Sequence, residues 1–107
     1  MRPGALSRRL ILSLAALGVL AGCGRTPEDE ARKKQGVDYA SRRLYKEAVA
    51  EFDGAISLRP DKPRAYYMRG IAYVKMGEPG KALPDFKKAC SMSDRDACTM
   101  ASRLQSR

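Results

Sequence analysis

The sequence predicts an all-α fold: two stacked helical hairpins closed by a C-terminal capping helix, a fragment of an α-solenoid. Three observations lead there. Ala31, Gly36, Tyr39, Ala48, Phe52 and Ala55 recur thirty-four residues later as Ala65, Gly70, Tyr73, Ala82, Phe86 and Ala89, and a period of that length belongs to stacked helical hairpins. Within each copy Gly and Tyr stand three apart, while Ala, Phe and Ala stand four and then three apart. Each group therefore lies on one helical face, which makes two helices per copy. The composition agrees: 44% hydrophobic residues with two Phe and no Trp suit close packing of small-residue helices better than a deep aromatic core.

The chain opens with residues 1–22, which read as a secretory signal peptide of the lipoprotein type, removed in the mature protein. Arg2, Arg8 and Arg9 form its basic region, and Leu10 to Leu20 form an uncharged apolar stretch of eleven residues. A transmembrane helix needs about 20, so the stretch is too short to span. Leu20-Ala21-Gly22-Cys23 resembles the lipobox of bacterial lipoproteins. That resemblance implies a diacylglycerol thioether on Cys23, cleavage after Gly22 and acylation of the freed amine. A cysteine suits the linkage because its thiol is nucleophilic near neutral pH. Each buried lipid CH₂ contributes about 0.8 kcal/mol, so two or three chains hold a protein on a bilayer. Among lipoproteins of bacteria with two membranes, Asp after the lipidated Cys favours the inner membrane; Gly24 stands here, which implies the outer membrane, facing the periplasm. The plainer alternative is a secreted chain with a stray cysteine beside its cleavage site.

Residues 23–27 form the lipidated cysteine and a short tether, and residues 28–60 form the first repeat. Thr26 is expected to cap a helix over residues 27–42, with Pro27, Glu28, Asp29 and Glu30 in a first turn where acids face the positive end of the helix dipole. A second helix over residues 45–58 ends at Arg59-Pro60. The second repeat, residues 61–94, begins with Asp61 or Lys62 as cap and Pro63 at the first helical position, and its first helix ends before Gly77. Its second helix carries Pro79 and Pro84. An interior proline costs about 3 kcal/mol, so a late or kinked start near Gly80 is expected, with the helix running to about Met92.

These residues resemble the tetratricopeptide repeat family. Gly36, Tyr39, Tyr45, Ala48, Phe52, Ala55 and Pro60 stand at its signature places in the first copy, and Gly70, Tyr73, Ala82, Phe86 and Ala89 in the second. Tyr66 takes the place of the large aromatic that packs on the preceding repeat. The resemblance implies a concave surface built by the first helix of each hairpin, here Lys33, Val37, Ala40, Ser41, Arg64, Tyr67, Ile71 and Lys75, which binds extended peptides or partner helices. A plain solvent-facing surface is the alternative for the same residues. In chaperone-binding relatives a Lys followed one turn later by Asn clamps a peptide carboxylate. Lys33 fits that pattern, but Val37 stands in place of Asn, so that role is not carried over.

Residues 95–107 form the capping helix, expected from about Asp94 to Gln105 with Ala97, Met100, Ala101 and Leu104 facing inward. Cys90 and Cys98 flank the break before it. This end resembles the cysteine-rich Sel1-like repeat proteins, which implies a disulfide that clips the two helices together. Export, itself implied by the leader, would oxidise two thiols within reach. Two small buried core residues are the alternative.

The composition also narrows the chemistry. With no His in the chain, a Ser-His-Asp set cannot form, there is no glycine-rich phosphate loop, and two thiols without a further ligand do not make a metal centre. Glu47 and Glu51 sit one turn apart on a helix surface, where carboxylates are solvated charge. An enzyme, a cofactor, a metal and a small-molecule substrate are therefore not expected. The formal charge of +9 falls to +6 without the three leader arginines, and it is spread along the helices, as on a solvated surface. The function expected is that of a membrane-anchored interaction or scaffold module in the cell envelope, whose partner is another envelope protein or an extended peptide of acidic and apolar character. Binding of nucleic acid or another anionic polymer through the basic surface is the alternative; it would need a basic stripe interleaved with exposed aromatics.

Overall fold

The computed structural model describes residues 27–106; the leader, Cys23 and Thr26 lie outside the described residues. Five α-helices follow one another: α1 (Glu28–Ser41), α2 (Tyr45–Leu58), α3 (Pro63–Lys75), α4 (Pro79–Ser91) and α5 (Arg95–Gln105). Each packs on the next in chain order. The all-α stack of two hairpins and a closing helix is thus the one the repeat period predicts.

The repeated letters do the same job twice. A Cβ placed at Gly36 would stand 2.5 Å from the Phe52 ring, and one at Gly70 would stand 2.7 Å from the Phe86 ring. Both rings are fully buried. Ala48, Phe52 and Ala72 form the inner cluster of the first hairpin and its junction with the second, with Met68 packed against it. Tyr66, Ala82, Phe86, Ala89, Ala97 and Ala101 form the other cluster, which reaches into α5. Tyr66 also donates its hydroxyl hydrogen bond to the Pro60 carbonyl at 3.0 Å, tying α3 to the connection before it.

Three of the four connections are the same turn. Leu44, Glu78 and Asp94 donate their N–H groups to the carbonyls of Tyr39, Tyr73 and Ala89, while Arg43, Gly77 and Ser93 donate to Ala40, Val74 and Cys90. This double bond pattern closes a helix through one left-handed residue. That residue is Gly77 at φ 77° in the second hairpin, but Arg43 at φ 63° in the first and Ser93 at φ 73° before α5. A side chain in that conformation costs about 1 kcal/mol.

Two helix starts differ from the sequence expectation. Pro27 is the N-cap of α1 and supplies no side-chain bond. The fourth helix starts at Pro79 rather than at Gly80, and Pro84 sits inside it. Pro79 occupies the first helical position, where its fixed φ is already right and no N–H is needed. Pro84 is exposed and one turn further on, so a single backbone bond, to Gly80, is lost where water can satisfy the carbonyl.

Both ends of the stack are polar. Met68 and Ala72 on α3 pack on the first hairpin, whereas Lys34 and Asp38, thirty-four residues earlier, are exposed on the outer face of α1. Ala31 is exposed for the same reason, while its counterpart Ala65 is buried. At the far end α5 turns Ala97, Met100, Ala101 and Leu104 onto α4 and leaves Thr99, Ser102 and Arg103 outside. Cys90 and Cys98 are joined by a disulfide with a Cα separation of 4.6 Å, which fastens α5 to α4.

The packing makes a direct test available. Gly70→Leu is expected to lower stability by ~3 kcal/mol or more through overpacking against Phe86, whereas Lys75→Leu on the exposed side changes it by less than about 0.5 kcal/mol. Urea unfolding of the two variants reads the difference; equal midpoints would contradict the helix pairing.

Candidate binding groove

The inner faces of α1 and α3 diverge above the first hairpin's core and leave an open groove of about 520 Å³. Val37, Ala40 and Ser41 line one wall, Tyr67, Met68, Ile71 and Lys75 the other, with Phe52 and Ala72 at the floor and Arg43 and Tyr45 at one end. Val37 is 47% exposed although it is aliphatic. The wall residues share a face because α1 and α3 place residues four apart one above the other.

Six of the eight residues expected on the concave face line this groove: Val37, Ala40, Ser41, Tyr67, Ile71 and Lys75. The other two, Lys33 and Arg64, lie outside its lining and are engaged by acids. Lys33 Nζ lies 2.6 Å from a Glu30 carboxylate oxygen, and this hydrogen bond holds the Glu30 carboxyl below its ordinary range. Arg64 reaches Asp94 at 2.9 Å and Asp96 at 3.2 Å, and its guanidinium lies 4.2 Å from the centroid of the Tyr67 ring. Tyr67 in turn meets Phe86 at 5.8 Å. The ring on the groove wall is thereby held between the second hairpin's core and a cation anchored to α5.

Two charge clusters escaped the sequence reading. Asp94 caps α5 by accepting from the Ala97 N–H at 3.0 Å while it also accepts from Arg64. Burial pushes the Asp94 carboxyl up, but the Ala97 N–H and the Arg64 guanidinium outweigh it and leave the pKa below the ordinary value. Arg69 forks onto Asp85 with bonds of 2.8 and 2.7 Å and reaches Asp53 at 2.7 Å, so one guanidinium links α2, α3 and α4. Asp85 is buried, which makes this pair costly to break from one side. The only signal in the sequence is the spacing: Asp53, Arg69 and Asp85 fall sixteen apart, on three consecutive helices. Of the two surface glutamates, Glu51 meets Arg32 at 3.5 Å and Glu47 is exposed.

Among the described residues, no three His, Cys, Asp or Glu side chains converge as a metal site, and no helix is long and apolar enough to cross a membrane. Of the basic side chains, Arg32, Lys33, Arg64 and Arg69 are each paired with an acid.

Comparison with known proteins agrees with this geometry. A family model described as TPR repeat matches residues 38–77, and one described as Tetratricopeptide repeat matches residues 63–94. Together they span residues 38–94, and over that stretch the chain carries tetratricopeptide repeats. It is similar to Hsp70-Hsp90 organizing protein 2 of Arabidopsis thaliana, with 36% identity over 64 residues that make up 60% of this chain and 11% of that protein. The chain therefore spans about a tenth of the length of that relative. Among solved structures it is similar to the Sgt2 TPR domain from Aspergillus fumigatus, with a TM-score of 0.68 and 26% identity over 75% of this chain and 54% of the other. Repeats of this family mediate protein-protein interactions.

The Asp94 arrangement predicts a pH dependence. A carboxylate whose folded pKa is depressed contributes stability that is complete above its unfolded value near ~3.9 and is lost as the pH falls through the folded value. Asp94→Asn keeps a capping oxygen but removes the charge, so at pH 7 the variant is expected to be less stable by about 1 kcal/mol. Urea titrations at pH 7 and below pH ~3 should show that gap closing in acid; a gap independent of pH would contradict the charge pairing.

Proposed function

We propose that this chain is a membrane-tethered interaction module whose groove between α1 and α3 binds a segment of a partner protein in the cell envelope. The observation that carries the reading is the groove itself: an open, mostly aliphatic and aromatic channel lined by Val37, Tyr67, Met68 and Ile71, on a fold without a convergent set of catalytic side chains among the described residues. Aliphatic side chains left in water at such a channel gain about 25 cal/mol for each Å² that a partner covers. The anchoring half of the proposal rests on sequence: a basic and apolar leader followed by Leu20-Ala21-Gly22-Cys23. With the lipid on Cys23 and α1 beginning at Glu28, the tether is short, at most about 3.5 Å per residue, so the groove works close to the bilayer. Gly24 after the anchor favours the outer membrane. No catalytic step is assigned.

Site-specific photocross-linking in intact cells tests both halves. A benzophenone side chain at Val37 is expected to give a discrete adduct with one protein in the membrane fraction, and one at exposed Lys87 on α4 is not. Ile71→Asp should abolish the Val37 adduct, and Cys23→Ser should move the helical protein to the soluble fraction. The same adducts from Val37 and Lys87 would overturn the groove assignment. Continued membrane association of the Cys23→Ser chain would overturn the anchor.

A further inference from the structure

The groove's charges are arranged differently at its two ends. At the end where α1 and α3 begin, the repeat places Glu30 and Arg64 at equivalent positions, and likewise Lys33 and Tyr67. Here each cation already faces an acid: Lys33 is 2.6 Å from Glu30, and Arg64 is 2.9 Å from Asp94 and 3.2 Å from Asp96. At the other end, beside the α1–α2 turn, Arg43 and Lys75 line the groove and are exposed. Neither is within ion-pair distance of an acid among the described residues. The Arg43 backbone is anchored there by its N–H bond to the Ala40 carbonyl at 2.9 Å, in a left-handed conformation that aims the side chain from the turn. Val37 and Ile71, equivalent in the repeat, face the channel between the two ends.

Resting on the reading of this groove as a peptide site, we propose that it binds its partner segment in one direction. Apolar side chains lie against Val37, Tyr67 and Ile71, and carboxylates lie at the Arg43 and Lys75 end. Two positive charges with no acid in ion-pair range among the described residues attract carboxylates at that end. At the opposite end Lys33 and Arg64 are already neutralised by Glu30, Asp94 and Asp96. Arg43 and Lys75 are thus the specificity-determining residues, and they set polarity more than total affinity because exposed ion pairs are individually weak.

Three capped synthetic peptides test this on the isotopically labelled full chain: Leu-Ala-Leu-Leu followed by four Glu, the same residues in reverse order, and a version with four Gln in place of Glu. A nitroxide marks the charged or Gln end. For both acidic peptides, the nitroxide is expected to broaden the amide signals of residues 41–45 and 75–77 and to spare residues 30–33 and 64–67. Arg43→Glu and Lys75→Glu should each weaken acidic-peptide binding about fivefold, and raising the salt should do the same, while Lys87→Glu on α4 leaves it unchanged. The Gln peptide should bind more weakly and be indifferent to Arg43→Glu. Broadening at residues 30–33, or affinities insensitive to both reversals, would overturn the polarity while leaving the groove as a peptide site. Failure of all three peptides to shift the Val37 and Ile71 amides would overturn the groove reading itself.

Discussion

Two phenyl rings occupy space that a Cβ would otherwise take: Phe52 against Gly36 and Phe86 against Gly70. The rest of the structure depends on this approach. Because a bare glycine backbone faces each ring, α1 and α2, and then α3 and α4, close to the distance at which Ala48, Ala55, Ala82 and Ala89 are also buried. A core with so few large side chains has little apolar area to contribute per residue, so it must gain its dispersion contacts from fit. The same closeness fixes where the groove opens. Phe52 is both the filler of the first hairpin and part of the groove's floor, and Phe86 supports Tyr67 on the wall.

Polar interactions then determine how the units are joined and where the stack stops. Arg69, held between Asp53 and Asp85, ties the second hairpin to the first, with part of its pairing shielded from water, where such contacts specify geometry. Asp94 joins the second hairpin to α5 by capping one helix and pairing with Arg64 on another. The outer face of α1 carries Lys34 and Asp38 where a continuing stack would carry apolar side chains, and α5 covers α4. Polar terminal faces keep a solenoid from adding further copies of itself.

Most of the architecture was legible because the repeat is written in residues that leave few alternatives. Glycine opposite phenylalanine, with alanine at helical spacing, implies close-packed hairpins, and the prolines and Gly77 mark three of the boundaries. The groove was partly legible. Val37, Ala40, Ser41, Tyr67, Ile71 and Lys75 follow from the resemblance to tetratricopeptide repeats, which names the first helix of each hairpin as the concave wall, together with helical phase. Lys33 and Arg64 share that phase, yet their partners lie elsewhere: Glu30 one turn back and Asp94 thirty residues on. Single-helix geometry carries no information about such pairing. The turns show the same limit. Gly77 announces a left-handed residue, whereas Arg43 and Ser93 adopt that conformation only because the helices on either side require it. The start of α4 was misjudged because two prolines were weighed as breakers, although the first stands where a helix accepts one.

A double-mutant cycle at the Gly70 and Phe86 contact tests the central claim most directly. Gly70→Ala, Phe86→Leu and the combined variant are compared by urea unfolding. If glycine is present to admit the ring, the added methyl is expected to cost much less once the ring has been replaced. The combined loss should then fall short of the sum of the single losses by ~1 to 2 kcal/mol. Losses that add within about 0.5 kcal/mol would show that the ring and the glycine contribute independently, and would contradict the account of how the hairpins and their groove are built.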